Sequence, residues 1–346
     1  MSTKRSTLLI IYGLIIVGCL TGIFRANVTQ AEFTVKASIQ ASIQDEDYVG
    51  LLAFKEYVEK NSKGRVQVQL YASGQFCGSV PECIGSLQSG VLEMFPSTAG
   101  GTGNFFAPAQ VLDLPYVFTS DAQAECVLDG PILQKMRDTV LGNGLNIRLI
   151  GVSNTGGWRN FATTKKPIRN PEDLKGQKIR TTPADIQQEL VRQLGANPTP
   201  ISWAELYTAL ATGVVEGSKN GIQDIIGAKL QEHLKYIILD GHSYMATLWW
   251  FSEPVWKTLP KDIQQIVLEG FAKQKAAANE FVATQESDSY KIFEEAGGII
   301  YRPSVAEKQA FKDASVNMRQ WFINNFGLEW LDLLEKSVEQ CNASIG

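Results

Sequence analysis

Alternating and helical hydrophobic patterns follow one another along the chain and predict an α/β fold. Phe33–Gln40 and Arg65–Tyr71 alternate apolar and polar residues, as half-buried strands do. Between them, "YVGLLAFKEYVEKNSKG" repeats apolar residues at helical spacing and stops near Gly64. A helix from about Pro81 to Gln88 leads to a strand candidate that ends at Pro96. Strand-helix-strand order predicts parallel strands joined by helical crossovers.

The later part of the chain contains further strand candidates and one long helical pattern. The segments "NIRLIGVSN" and "IILDGHSYMATLWWF" have the apolar character of buried strands. From Pro260 to about Ala296, apolar residues recur at helical spacing without an internal proline, so an unbroken helix would span roughly 50 Å. Such a helix would brace two lobes. Two helices with a break near Gly270 or Ser287 fit the same pattern.

Length and composition agree with two domains. The chain has 346 residues, 44% of them hydrophobic, and a net charge of -4. This size suggests roughly two domains with a sizeable core. Because no low-complexity linker separates the lobes, we expect the chain to cross between them more than once. A mildly acidic chain without a basic stripe argues against a nucleic-acid partner.

The N-terminus predicts export. Lys4 and Arg5 precede a mostly apolar run from Thr7 to Phe24, and small residues end at Ala31, which makes residues 1–31 a candidate signal peptide. An uncleaved membrane anchor and a lipoprotein with lipid on Cys19 are the alternatives. All three place the folded part outside the cytoplasmic membrane, and we expect a periplasmic protein.

The cysteines of the mature chain fit an oxidising compartment. Four remain after Cys19, an even number. The segment "CGSVPEC" would close a short loop, so we predict one bridge between Cys77 and Cys83 and a second between Cys126 and Cys341. Unpaired buried thiols are the alternative.

Signatures of metal binding and catalysis do not occur in the sequence. There is no C-x-x-C pair, and His233 and His242 are distant from the cysteines. There is also no G-x-S-x-G elbow and no H-E-x-x-H motif. We therefore predict a protein that is not an enzyme and that carries no metal or cofactor.

An arginine in "PEDLKGQKIRTTP" is a candidate anion anchor. The run "KGQKIR" is typical of a short strand, and Thr182 followed by Pro183 resembles the capped start of a helix. Arg180 would then stand beside the backbone N–H groups of a helix start. Both attract anions, and a planar guanidinium suits a carboxylate in two-point contact.

A second helix start follows soon afterwards. Ser202 and Glu205 have capping-box spacing, Trp203 falls in the first turn, and the helix is predicted to end near Gly213. The glycine-punctuated run "GVVEGSKNG" then offers Asn220, which can both donate and accept hydrogen bonds.

Several ordered motifs resemble one known family. "YASGQF", "LDLPYVF", "GWRNFATTKKPIRNPEDLKGQKIRTTP" and "LGANPTPISWAELYTALATGVVEGSKN" are similar to segments of the DctP-type solute-binding proteins of TRAP transporters. The resemblance runs from about Phe33 to Leu259. It implies a two-lobed periplasmic binding protein that closes like a flytrap over a small organic acid, with a long helix spanning both lobes. We expect lobe I to comprise 32–156 plus 246–285 and lobe II 157–245 plus 286–346.

The same resemblance implies ligand-binding residues. Arg180 matches the family arginine that binds the ligand carboxylate, and Asn220 matches the asparagine of its "VDGQEN" segment. Arg159 in "GWR" aligns with a more variable second arginine. Trp203 matches an aromatic residue that lies against the ligand, and Gln40 aligns with a ligand contact of some relatives.

Two departures from the family pattern bear on the ligand. Lys219 stands before Asn220 where the family commonly has a glutamate, so that charge is reversed. Ser97, Thr98 and Ala99 occupy a position where sialic-acid-binding relatives carry an acidic residue. A pocket with fewer charges there would prefer a smaller or flatter acid, with Thr98 as a contact.

Aromatic residues near the returning chain suggest what that acid is. Tyr244 and Trp249 would border the cleft, and together with Trp158 and Trp203 they suggest ring stacking. Trp250 would point to the other side of the strand. We therefore expect an aromatic or otherwise apolar monocarboxylate, with a sugar acid or keto acid as the alternative.

The mechanism that follows is capture and delivery. Burying Arg180 in a closing cleft is favourable only when a carboxylate replaces its water, so ligand binding and lobe closure would reinforce each other. We expect a monomer that delivers its ligand to the TRAP membrane permease for uptake driven by an ion gradient. Presentation of the ligand to a membrane sensor, or turnover of the acid by an extracytoplasmic enzyme, are the competing functions.

Overall fold

The computed structural model describes residues 31–345, in which one mixed sheet is covered by helices. Its strands are β1 (Phe33–Ser38), β2 (Val66–Tyr71), β3 (Met94–Thr98), β4 (Ile147–Thr163), β5 (Lys178–Thr181), β6 (Asn197–Pro200), β7 (Gly217–Asn220), β8 (Tyr236–Ser252) and β9 (Ile299–Tyr301). The predicted signal peptide lies outside the described residues, apart from Ala31.

Helices occupy most of the remaining chain. The α-helices are α1 (Glu46–Asn61), α2 (Val80–Ser89), α3 (Ala99–Thr102), α4 (Asp121–Leu128), α5 (Pro131–Gly142), α6 (Asp185–Gln193), α7 (Leu206–Ala211), α8 (Ile222–Gly227), α9 (Glu253–Thr258), α10 (Lys261–Glu295), α11 (Val305–Ala314), α12 (Met318–Phe326) and α13 (Glu329–Ile345). Short 3-10 helices are Ala107–Asp113, Pro171–Leu174, Trp203–Glu205 and Leu230–Glu232. Within residues 31–345, none of the helices combines the length and apolarity that crossing a membrane requires.

The sheet has parallel strands at both ends and a long antiparallel pair between them. The order is β2-β1-β3-β8-β4-β7-β5-β6, with β9 beside β8. β1 runs parallel to β2 and β3, and β5 runs parallel to β6 and β7, which confirms the predicted parallel pairing. β3 pairs with one end of β8, and β7 pairs with the far end of β4. The β4-β8 pair therefore joins two α/β halves, as expected for a two-lobed binding protein.

The long helix is continuous, so the alternative of two shorter helices is wrong. α10 has 35 residues and packs against α1, β4 and α8. Gly270 lies inside this helix, and a Cβ at this position would press against Val58 and Phe54 of α1. The glycine thus allows two helices to approach closely. α10 contacts elements of both halves, as the family resemblance implied.

An irregularity interrupts the pairing of β4 with β8 near the middle of the sheet. The register shifts between Asn154 and Trp158. Gly156 and Gly157 both have positive φ values, of 76° and 78°, which favour glycine. This bulge turns β4 from one half of the molecule towards the other.

Both predicted disulfides are present. Cys77 and Cys83 are bonded with their Cα atoms 5.4 Å apart, and Cys126 and Cys341 with theirs 5.9 Å apart. The second bridge ties α13 to α4, and α13 also packs on α5. These partners of the C-terminal helix belong to the predicted lobe I, whereas the sequence-based prediction places residues 286–346 in lobe II. The lobe boundaries stay a prediction.

Three apolar cores hold the sheet and helices together. One, around Phe54, Phe251 and Ile263, packs α1 and α10 on the β1 side of the sheet. A second, around Leu206, Ile225 and Phe293, contains residues of α7, α8 and α10. The largest extends along the opposite face and contains residues from both ends of β8.

Candidate ligand-binding site

A cavity of about 300 Å³ lies where the two halves meet. Its walls come from the β1-α1 and β3-α3 connections on one side and from β4, β5, β7 and the Trp203 turn on the other. Six of the predicted ligand residues line it, namely Gln40, Thr98, Arg159, Arg180, Trp203 and Asn220. Their contact with a ligand stays a prediction, but the fold brings them together.

Arg180 is a buried cation that faces this cavity from β5. The residue is only 4% exposed, and its Nε donates a hydrogen bond to the carbonyl oxygen of Ile201 at 2.9 Å. The guanidinium carbon lies 5.8 Å from the centre of the Trp203 ring. Burial and the nearby Arg159 guanidinium lower the pKa of Arg180 to about 9. A nearby anion stabilises the charged form of a buried arginine that is shielded from solvent.

The helix start next to Arg180 differs from the prediction. α6 begins at Asp185, with Ala184 as its N-cap and no side-chain capping hydrogen bond. Thr182 is therefore not the N-cap. Its Oγ1 instead accepts a hydrogen bond from the Ala184 N–H at 3.4 Å, one turn before the helix. Thr182 and Pro183 precede the helix and form part of the cavity wall.

The second predicted helix start is also modified. Residues Trp203–Glu205 form a 3-10 turn, and α7 follows it with Ala211 as its last residue. The Ser202 hydroxyl donates to the Glu205 carboxylate at 2.6 Å and makes no capping bond to the backbone. Trp203 is half-buried and presents its ring to the cavity beside Arg180.

Arg159 and Asn220 line the cavity from the neighbouring strands β4 and β7. Arg159 is 2% exposed and donates from Nη1 to the Lys219 carbonyl oxygen at 3.2 Å, whereas its Nε has no partner in the described chain. Asn220, also 2% exposed, accepts a hydrogen bond from the Ser218 hydroxyl at 2.6 Å and donates to Asp224 Oδ2 at 3.2 Å. Hydrogen bonds to neighbouring residues thus hold both side chains in position.

Gln40 and Thr98 occupy the opposite wall. The Gln40 amide donates to the Gly78 carbonyl oxygen at 3.2 Å. Thr98 is the N-cap of α3, and its Oγ1 accepts from the Gly101 N–H at 3.2 Å. Each therefore has one structural role and also faces the cavity.

Tyr244 and Trp249 are placed in the protein core and do not line the cavity. Tyr244 packs edge-on against Trp158, with ring centres 5.5 Å apart. The Trp249 indole donates to the Ser153 hydroxyl at 2.8 Å and lies near Phe271. This placement does not support the ligand contacts predicted for them. Trp250 points to the other face of β8, as its strand position predicted.

Three carboxylates that sequence reasoning missed also line the cavity. Asp45 and Asp47 come from the start of α1, and Asp224 comes from α8. The expectation of fewer charges concerned residues 97–99 alone, and these three carboxylates lie elsewhere in the cavity wall. Acidic residues at a helix start are common as N-caps, so the run "QDED" gave no distinctive signal.

Glu46 adds a fourth buried carboxylate to this group. One oxygen from each of Asp45, Glu46 and Asp224 lies within 4.8 Å of the others, an arrangement that can hold a cation. Burial, and then the neighbouring carboxylates, raise the pKa values of Asp45, Glu46 and Asp47. Burial also raises the pKa of Asp224, to about 6, although Arg159 and Asn220 oppose this.

The fold and the cavity together define a class of protein. Two α/β halves joined by long strands and a lobe-spanning helix enclose a small cavity with two buried arginines, which is the arrangement of a solute-binding protein for anions. The comparisons specify the family. The model of the bacterial extracellular solute-binding protein family 7, DctP, matches residues 37–324. The chain belongs to this family, which comprises the extracytoplasmic solute-binding proteins of TRAP transporters.

Individual relatives agree with this assignment. A solute-binding protein of Verminephrobacter eiseniae is 31% identical over 249 residues, which cover 72% of this chain and 73% of that protein. A TRAP periplasmic solute-binding protein from Sulfurospirillum deleyianum, solved with bound succinate, is 26% identical, with a TM-score of 0.82 over 89% of this chain and 99% of that one. A relative from a Polaromonas species, bound to D-erythronate, is 25% identical, with a TM-score of 0.82 over 88% of this chain and 98% of that one.

Proposed function

We propose that this protein captures a small organic acid in the interlobe cavity and delivers it to the membrane permease of a TRAP transporter. The observation that carries the proposal is the burial of Arg180, whose guanidinium faces the cavity without a carboxylate partner within 4.0 Å among residues 31–345. A ligand carboxylate would supply this missing charge and the acceptors.

The other residues around Arg180 fit the same role. Trp203 lies beside the guanidinium, and Arg159 and Asn220 are held in place by hydrogen bonds to neighbouring strands. The unpartnered Nε of Arg159 offers a second donor. The bound succinate and D-erythronate of the two solved relatives are both carboxylates, which supports an acid as the ligand.

The aromatic side chains give limited support to an aromatic acid. Of the four that motivated that prediction, only Trp203 lines the cavity. A polar acid of a few carbons suits a cavity of about 300 Å³ that also contains carboxylates and hydroxyl groups. We therefore favour a small polar acid over an aromatic one.

Delivery requires export and docking. The family is extracytoplasmic, and the two disulfides suit a periplasmic location. We propose that the ligand-bound form acts as a monomer and docks on the permease.

A screen of organic acids against the purified protein tests this function. A ligand present at one hundred times its dissociation constant should stabilise the protein by about 2.7 kcal/mol. Arg180→Ala should lose this response to every hit, whereas Arg192→Ala, which removes an exposed arginine on α6, should keep it. Retention of the full response by Arg180→Ala would refute the anchor, and conversion of the acid to a product would favour an enzyme.

A further inference from the structure

The cavity presents opposite charges on its walls. Arg159 and Arg180 supply cations from β4 and β5, while Asp45 and Asp47 supply carboxylates from the start of α1. Asp224 lies between the two sets, since Asn220 donates to its Oδ2 at 3.2 Å and its carboxylate also reaches the Asp45 group. A ligand anchored at the arginines would therefore extend towards carboxylates.

These carboxylates form no ion pair with a cation of the described residues. Asp45, Glu46, Asp47 and Asp224 are all at least nine-tenths buried. Among residues 31–345, no Lys, Arg or His nitrogen lies within 4.0 Å of any of their oxygens. Buried carboxylates in proteins are normally paired or bound to a cation, because an isolated buried charge is strongly unfavourable.

Unsatisfied polar atoms in the cavity wall point to the same missing partner. Asp47 is 7% exposed and lines the cavity, and its Oδ1 has no hydrogen-bond donor in the described chain. Its Oδ2 receives only a long bond of 3.5 Å from the Thr155 hydroxyl, which is also bonded to Glu46 at 2.8 Å. Thr247, 1% exposed in the same wall, likewise has an unpartnered hydroxyl. A ligand group with several N–H donors would satisfy these acceptors.

We infer that the ligand is a zwitterion, with a carboxylate bound by Arg180 and Asn220 and an ammonium group bound by Asp47 and Asp224. This inference rests on the proposed function, since the arginine end of the cavity must bind a carboxylate. An ammonium group has three donors and a positive charge, which match several nearby carboxylate oxygens. An acid without an amine would leave these buried carboxylates without a cationic partner or force them to take up protons.

The test compares acids that differ only by an amine. Isothermal titration calorimetry on the wild-type protein would measure β-alanine and L-alanine against propionate, 4-aminobutyrate against butyrate, and 5-aminovalerate against valerate. Since a charge-assisted hydrogen bond contributes about 1.5–3 kcal/mol, the best amino acid should bind at least about tenfold more tightly than its amine-free counterpart. This comparison does not depend on the folding of any variant.

Variants locate the ammonium site. Asp47→Asn and Asp224→Asn are isosteric and remove one charge each, and each should reduce the ratio of the two dissociation constants at least about threefold. Asp288→Asn is the matched control, because Asp288 is exposed on α10 and does not line the cavity. It should leave the ratio unchanged.

Three results would overturn the inference. Equal or tighter binding of the amine-free acids would do so while leaving the proposed function intact. Binding of an amine-free acid only when Na⁺ or Ca²⁺ is present, with loss in EDTA and sodium-free buffer, would assign the carboxylates to a metal ion. If all these acids fail to bind, including in the wider screen, the carboxylate anchor and the proposed function fail together.

Discussion

Replacing Arg180 by methionine is expected to stabilise the ligand-free protein while it removes the ligand anchor. Arg180 is buried without a carboxylate partner within 4.0 Å among the described residues, and its only hydrogen bond there is donated by Nε to Ile201. Methionine has a similar length and no charge, so it can occupy the same space without the cost of burying a cation.

The magnitude follows from the pKa of the guanidinium. A fall from 12.5 to about 9 corresponds to about 5 kcal/mol of unfavourable free energy for the charged form, since each pKa unit equals about 1.4 kcal/mol. Because the folded-state pKa is lowered, this penalty applies in full at pH 7. Loss of the Ile201 hydrogen bond and of the Trp203 contact offsets about 3 kcal/mol. The free energy of unfolding should therefore rise by about 2 kcal/mol.

Urea unfolding and calorimetry measure the two effects separately. The ligand-free variant should unfold at a higher urea concentration with an unchanged slope. Its affinity for the acid should fall about 100-fold or more, because a buried charged partner is lost. Arg148→Met is the control. Arg148 donates two hydrogen bonds to Glu253, at 2.9 and 3.3 Å, and its removal should lower stability by about 1 kcal/mol without changing binding.

Two outcomes would refute the reasoning about Arg180. If the ligand-free variant is less stable by about 2 kcal/mol or more, the arginine is chiefly a structural residue. If the variant is more stable but binds the acid as tightly as the wild type, the carboxylate lies elsewhere in the cavity.

Three further predictions concern the disulfides, a packed glycine and a buried acid. Replacing the two cysteines of the Cys126–Cys341 bridge by alanine should lower the free energy of unfolding by about 5 kcal/mol, and the same change at Cys77–Cys83 should lower it by about 2 kcal/mol, because the closed loops span 215 and 6 positions. Equal losses in urea unfolding under non-reducing conditions would contradict this. Gly221→Ala places a Cβ against a carbonyl oxygen of β4 and should destabilise the protein by about 3 kcal/mol or more. Gly85→Ala, whose Cβ would lie in open space on α2, should not destabilise it. Thermal unfolding of the two variants measures this difference. The pKa of Asp224 is raised from 3.8 to about 6, so protonation of this carboxyl group stabilises the folded protein fully below pH 3.8, and this contribution is lost as the pH rises through about 6. Relative to Asp224→Asn, the free energy of unfolding of the ligand-free wild type should therefore increase by about 2 kcal/mol when the pH falls from 7 to 4.5. Parallel pH profiles of the two proteins would refute this prediction.

The fold was predictable where the hydrophobic period is long or the order of elements is simple. The apolar spacing from residue 260 to 296 predicted α10, and only its continuity was open. Gly270 was a possible break in the sequence, but α1 packs directly against it, and this close contact is a tertiary feature that a single sequence does not show. The strand-helix-strand order likewise predicted the parallel pairing of β1 with β2 and β3.

The arginine wall of the cavity was predictable and the acidic wall was not. Arg180 stands in a motif that resembles a known family, so its neighbours identified it. Asp45 and Asp47 stand at the start of a helix, where acidic residues are ordinary. Only the fold brings Asp224, far away in the sequence, next to them. Tyr244 and Trp249 show the reverse error, because both faces of β8 are buried and an aromatic residue on either face packs in a core.

The two disulfides also differ in when their sulfur atoms become available. In a chain that crosses a membrane N-terminus first, Cys77 and Cys83 emerge together and can pair before Cys126 follows. Cys126 must then wait for Cys341, and by that time β4, β8 and α10 have all emerged. The four cysteines of residues 31–345 allow three pairings. Early closure of the short loop leaves only the native one, so the order of emergence during export reduces the need for disulfide reshuffling.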